Sequence, residues 1–298
     1  MITQEAPAPT AGAAAGRGRP GPRKARRRAW DEVPRWQIFL PLSIYLLFTL
    51  IPFYWILLFA LRPSGSTSLI PWPMTGEHFE KVWTERSFAV YFQNSVVTGV
   101  ASLLMTTLVA LVGGYALARF DFRGKRPFML GLLCSQFVPG ALLLVPLFQI
   151  FAKLQLINSL TSVVIAETVF QLPLSMILIA GFIRNVPYSL EEAAWVDGCT
   201  RFRAFCTIVL PLLRPGLIAV GSFAFVHAWN HFLFALMFLS QQDKQTIPVG
   251  LNTLMSADSV DLGALAAGGI IAAVPVVIVF GFIQKWLITG FSSGAVKG

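Results

Sequence analysis

From residue 36 onward the chain is a succession of long apolar runs separated by short polar clusters. Six runs are long enough to cross about 30 Å of hydrocarbon at about 1.5 Å of helical rise per residue, namely 36–61, 94–118, 127–152, 160–183, 215–239 and 264–288. Glu167 is the only acidic residue well inside a run. Pro41, Pro52, Pro139, Pro146, Pro173 and Pro275 also fall inside. They would break helices in water but are tolerated in a membrane bundle, where neighbours satisfy the freed carbonyls. The pattern predicts an all-α membrane protein with six transmembrane helices.

Composition agrees. Of 298 residues, 55% are apolar and 12% charged, and the mean hydropathy is +0.68; a soluble domain carries about 25% charged residues. The net charge of +9 is informative only once located. Eight basic residues lie in the first 35 positions, in a stretch rich in Ala, Pro, Gly and Arg with no apolar face to bury, so a disordered tail is expected there. Either it is a nucleic-acid-binding arm or it is the positive flank that keeps the first span's amino end in the cytoplasm. The apolar run beginning at Trp36 favours the second. With that end inside, the inner segments collect the tail, Arg119, Arg123, Lys125, Arg126, Arg184, Arg201, Arg203, Arg214, Lys285 and Lys297. The outer loops hold only Arg62, Lys81, Arg86, Lys153 and Lys244. Both termini are therefore expected to be cytoplasmic. Cys134, Cys199 and Cys206 are too few and scattered for a disulfide framework.

The inner loop 184–214 is more than a connector. After Pro187, Ser189-Leu190-Glu191-Glu192 has the form of a capping box, which predicts a short helix with Ser189 and Glu192 at its cap. Trp195, Cys199, Phe202 and Cys206 then recur at i, i+4, i+7 and i+11, one apolar face if the chain stays helical through Gly198. Such a stripe either packs on the protein's own helix ends or docks on a partner. Each residue also has a plain local role: Glu192 as a cap, Ala193 and Ala194 as helix formers, Gly198 as a bend requiring positive φ.

The string Glu192-Ala193-Ala194-Trp195-Val196-Asp197-Gly198, followed after nine residues by Ile208-Val209-Leu210-Pro211, resembles the EAA loop of ABC importer permeases. Asn94-Ser95, Tyr115-Ala116-Leu117-Ala118-Arg119-Phe120 with Phe122 and Gly124, Trp229-Asn230 with Phe232-Leu233-Phe234-Ala235, and the terminal Gly294-Ala295-Val296-Lys297-Gly298 are similar to the carbohydrate branch that includes maltose-type permeases. Where many relatives carry Glu after Trp-Asn, this chain has His231, so a carboxylate role does not transfer there.

The resemblance implies a type I importer permease with six helices over 36–298, in the cytoplasmic membrane of a prokaryote. It also implies partners: a second, homologous permease with which this chain forms a heterodimer, two copies of a cytoplasmic ATPase and an extracytoplasmic solute-binding protein. Coupling to the ATPase would rest on Glu192, Ala193, Ala194, Trp195, Asp197, Gly198, Phe202, Ile208, Leu210 and Pro211. No cofactor is expected on this chain, since it contains no phosphate-cradling G-x-x-x-x-G-K-[ST] motif and no inner segment long enough for a nucleotide-binding domain. ATP-Mg would be used in trans, and this chain would not be an enzyme.

Polar side chains inside spans are costly, so those that persist face the bundle or a wet cavity. Glu167, Gln171 and Ser175 form an i, i+4, i+8 stripe on the fourth span; His227, Asn230 and His231 lie at i, i+3, i+4 on the fifth beside Trp229. Glu167 and His231 each fall on the order of 10 to 12 Å below the outer surface, a depth at which they can meet. Three readings are open: a structural Glu–His pair, a sugar-contacting set with Trp229 stacked on a pyranose face, or a metal held by His227 and His231, for which no third ligand is evident. The motifs do not separate a sugar from a polyol or glycerophosphodiester-type solute. An ion-coupled secondary transporter would show two repeated halves, and a membrane enzyme would need an acid, base and nucleophile set; neither is evident.

Overall fold

The computed structural model describes residues 34–255 and 260–294. Nearly all of the basic tail expected over 1–35, and the motif residues after Gly294, lie outside the described residues. The chain divides into two compact units, 1–51 and 52–298. In the first, the described residues are the opening turns of helix α1 (Arg35–Leu61), in which the Thr49 hydroxyl donates to Tyr45 O at 2.8 Å.

In the second unit, α1 is followed by the short α2 (Glu77–Glu80), which runs into a π-helical turn at Lys81–Glu85, and by α3 (Phe88–Arg119). Next come α4 (Lys125–Ser135), α5 (Leu144–Lys153), α6 (Leu160–Arg184), α7 (Ser189–Val196), α8 (Arg201–Ala204) and α9 (Leu210–Leu212). The order closes with α10 (Arg214–Asn230), α11 (Leu233–Phe238), α12 (Ile247–Met255) and α13 (Leu262–Gly294). No strand occurs among the described residues.

Four helices are long and apolar enough to cross a membrane, Trp36–Leu61, Phe88–Arg119, Leu160–Arg184 and Leu262–Gln284, and two bent helix pairs bring the number to as many as six. The bends correct two expectations. The run 127–152 is not one rod: α4 and the helical segment from Gly140 to Lys153 meet at 93°. Pro139, extended at φ −62° and ψ 124°, lies in the break, where its ring also disfavours helix for Val138 before it. The run 215–239 is interrupted as well. Helix α10 ends at Asn230, His231 is extended at φ −75° and ψ 120°, and α11 begins two residues later; a further 73° bend separates α10 from the Arg201–Leu212 segment before it.

The core is built around α3, α6 and α10. One cluster gathers Ala110, Ile179, Ile183, Val209, Leu213 and Val220 near the carboxyl end of α3, and another gathers Phe88, Tyr91, Phe225, Trp229 and Ala267 near its start. Helices α3 and α6 approach through Gly114: a Cβ there would lie 2.7 Å from Ile179 Cγ2 and 3.1 Å from the Ala180 backbone nitrogen.

Candidate functional site

The stripe expected on α6 is real: Glu167, Gln171 and Ser175 are all buried, Glu167 completely. Opposite it stand both histidines of α10 and its break. His227 Nδ1 is 3.0 Å from Glu167 Oε2 in hydrogen-bond geometry, and His231 Nδ1 is 2.8 Å from Oε1, at ion-pair distance but outside hydrogen-bond angles. The break after Asn230 thus brings a second imidazole to the same carboxylate. The two rings stack, with centroids 5.3 Å apart. If His227 Nδ1 carries the proton of its bond to Glu167, its neutral ring keeps Nε2 as an acceptor.

These rings border a cleft of about 260 Å³, lined also by Gln136, Phe170, Gln171, Phe223 and Phe234. Gln171 Nε2 is buried there without a hydrogen-bond partner among the described residues. The aromatic lining and Gln136 escape sequence reasoning. Phe is common throughout the runs, and a test for charge passes over an amide. No three His, Cys, Asp or Glu among the described residues are placed to hold a metal ion.

Trp229 packs in the core rather than beside these rings. Its indole is 2% exposed, stacked on Phe225 at 5.7 Å and edge-on to Phe92 at 5.6 Å, with Nε1–H donating to Ala272 O at 3.0 Å. The indole is therefore mainly a packing group, and what remains of its edge borders a separate cleft of about 370 Å³ with Asn230, Phe232 and Ile247. Asn230 is exposed beside the histidines, and its Nδ2 donates back to Val226 O at 2.9 Å.

The loop after α6 departs from expectation in two respects. The capping box does not form: α7 has Tyr188 at its cap, without a side-chain cap bond, and Glu192 N–H reaches Tyr188 O at 3.2 Å. Because Glu192 is exposed, it is free of that local duty. The Trp195, Cys199, Phe202, Cys206 stripe is also broken. Gly198 adopts φ +86° with open space around it, so α7 stops and α8 starts afresh after Thr200, whose side chain accepts from Arg203 N–H. Phe202 is 77% exposed. Trp195 instead packs edge-on against Tyr188 at 5.7 Å, under the Arg201 guanidinium at 5.2 Å. Ile208 and Leu210 lie in the π-helical turn and the start of α9, with Pro211 in the first turn of α9.

Sequence reasoning missed a second polar group. Glu191, one residue before the EAA string, is fully buried and ion-paired to Arg119 at 2.7 Å. A third lies before α3, where Lys81 Nζ is 2.7 Å from Asp261 Oδ2 and His78 Nδ1 is 3.9 Å from Oδ1. Burial pushes the Asp261 carboxyl up. The bond from Lys81, the Ala264 amide and the nearby charges outweigh it and hold Asp261 below the usual carboxylate range. Glu77 is lowered as well, chiefly by the Ser64 hydroxyl and amide, each 2.6 Å from Oε1.

Residues 110–293 match the family described as binding-protein-dependent transport system inner membrane component. The chain is 32% identical over 276 residues to a diacetylchitobiose uptake system permease of Streptomyces coelicolor, covering 91% of this chain and 98% of that one. It is 32% identical over 280 residues to an arabinooligosaccharides transport system permease of Halalkalibacterium halodurans, covering 91% and 100%. A trehalose transport system permease of Mycobacterium tuberculosis is 29% identical, covering 84% and 93%. Among solved structures, a bacterial ABC transporter that imports the acidic polysaccharide alginate superposes with a TM-score of 0.71 at 20% identity, over 84% of this chain and 97% of that one. The chain therefore belongs to the binding-protein-dependent transport system inner membrane components, as an ABC importer permease of the carbohydrate branch.

Proposed function

We propose that this chain is one of two permease subunits of an ATP-driven importer that moves a sugar or oligosaccharide into the cytoplasm, with six crossings and both termini inside. The supporting observation is the chemistry of the cleft between α6, α10 and α11. The carboxylate of Glu167 fixes two half-exposed imidazoles, Gln171 presents an unpartnered amide, and Phe170, Phe223 and Phe234 supply apolar walls. Ring hydroxyls need paired donors and acceptors, and the C–H faces of a sugar need apolar surface. Glu167, Gln171, Ser175, His227 and His231 line or brace the pathway in this reading, with Asn230 at its edge.

Energy enters through the loop. Its exposed Glu192, Ala193, Asp197 and Phe202 face a cytoplasmic ATPase dimer, which binds ATP-Mg, while Gly198 sets the turn that presents them. A second permease completes the pathway, and an extracytoplasmic binding protein delivers the solute. A structural neighbour, an alginate importer, is held in complex with a pentasaccharide-bound periplasmic protein.

The test is uptake into proteoliposomes holding the complete importer, with labelled diacetylchitobiose, arabino-oligosaccharides, trehalose, a polyol and a glycerophosphodiester as probes. Saturable sugar uptake that needs ATP and survives ionophores is expected. Uptake abolished by ionophores in the presence of ATP overturns the importer mechanism; uptake of the polyol or phosphodiester alone overturns the solute class.

A further inference from the structure

Helix α7 has little apolar attachment to the rest of the chain, since Glu191 and Ala194 are its only buried residues. What fixes it is polar. Arg119, in the last turn of α3, donates from Nε to Glu191 Oε1 at 2.7 Å and from Nη2 to Val186 O at 2.9 Å, with its guanidinium carbon 5.3 Å from the Tyr188 ring. Tyr115, one turn earlier on α3, donates to Glu191 Oε2 at 2.7 Å, and its ring meets Phe205 edge-on at 4.9 Å. The side chains of Arg119 and Glu191 are 8% and 1% exposed. Both carboxylate oxygens are therefore tied to one helix end, by bonds whose directions leave α7 little freedom.

A buried ion pair is weak evidence for stability, because desolvation offsets most of its attraction; its clearer consequence is a defined geometry. The other end of α3 is held in a similar way. Asn94 Nδ2 donates to Asp243 O at 3.0 Å and to Gln245 O at 2.9 Å, and Ser95 Oγ accepts from Ile247 N–H at 2.9 Å. From Asn94 to Arg119 an unbroken helix spans about 37 Å.

We infer that Glu191, Arg119 and Tyr115 form a positioning joint that makes α7 and α3 move as one body, so that displacement of the loop is delivered to residues 243–247 at the far end of α3. The inference rests on the importer reading above. In it, Glu192 meets the ATPase and Glu191 passes the movement on.

The test is pulsed electron–electron resonance on the complete importer in nanodiscs, with the native cysteines replaced and spin labels at Val112→Cys on α3 and Ser189→Cys on α7. Without and with ATP-Mg, the otherwise unchanged chain should give the same narrow distance distribution. Glu191→Gln should still co-purify with the ATPase but shift or broaden on adding ATP, with ATP-driven uptake lowered about tenfold, within the range of ordinary couplings between sites. Arg119→Glu should behave likewise, and the exchanged pair Arg119→Glu with Glu191→Arg should recover the narrow distribution. Should that pair fail to assemble, Tyr115→Phe, which removes one bond, carries the same expectation in weaker form.

An ATP-dependent distance in the unchanged chain, or a Glu191→Gln chain indistinguishable from it, overturns the joint while leaving the importer reading intact. Failure of the unchanged chain to bind an ATPase overturns that reading, and the joint's role with it.

Discussion

Glu167 has no exposed surface, and an ionised carboxylate in a span persists only with partners. Two imidazoles supply them, at 3.0 and 2.8 Å. The meeting of Glu167 with His231 was legible in the sequence, because depth along two apolar runs places both at one level; the bond with His227 was not. The role of Trp229 was not. An indole beside polar neighbours looks the same in sequence whether it faces a cleft or the core, and Phe92 and Phe225, which pack against it, come from another helix and another turn. Because one carboxylate serves both rings, the substitutions should not add. Glu167→Gln and His231→Gln, each measured by denaturant unfolding in detergent, should combine with an interaction energy of about 1 to 3 kcal/mol. Strict additivity would show that the contact carries no energy.

Helices α3 and α6 show what apolar runs reveal and what they omit. Whereas α3 begins at Phe88, six residues before the expected 94, the extent of α6 was legible, since it covers Leu160–Arg184 where 160–183 was expected. Internal breaks were not, because proline content alone does not decide them. Pro173 lies inside the continuous α6, whereas Pro139 stands in an extended break before Gly140. Whether a freed carbonyl finds another partner depends on tertiary neighbours. The close approach of the two helices rests on adjacent glycines with different surroundings. A Cβ at Gly113 would meet the flexible end of Met176 at 2.3 Å, which can swing aside; at Gly114 it would meet β-branched Ile179 and the Ala180 backbone. Gly113→Ala should therefore be nearly silent, while Gly114→Ala should cost about 1 to 3 kcal/mol by overpacking. Thermal unfolding of the two variants checks this; equal losses would mean that the helices slide apart freely at both positions.

Across the whole molecule, the sequence separated a basic side from a less basic one and put the EAA string on the basic side, but it did not separate the two adjacent glutamates. Glu191 is buried on Arg119, and Glu192 is exposed; which of two neighbours turns inward is set by the register of α7 against α3, a tertiary fact. Their substitutions should fail differently. Glu192→Ala removes nothing that the chain itself uses, so its unfolding free energy should stay within about 0.5 kcal/mol, as at ordinary surface sites, while ATPase co-purification and ATP-driven uptake are lost. Gly198 lies between these cases. At φ +86° a β-branched residue is strained by about 1 to 2 kcal/mol, whereas Asn tolerates the left-handed region. No atom lies within 4 Å of where a Cβ would sit, so a difference between them reports chiefly backbone conformation. Gly198→Val should therefore disturb the turn between α7 and α8 and reduce uptake, and Gly198→Asn should restore most of it at an unchanged ATPase level. Equal uptake by the Val and Asn chains would show that the turn's conformation is not what presents Glu192 and Phe202 to the ATPase.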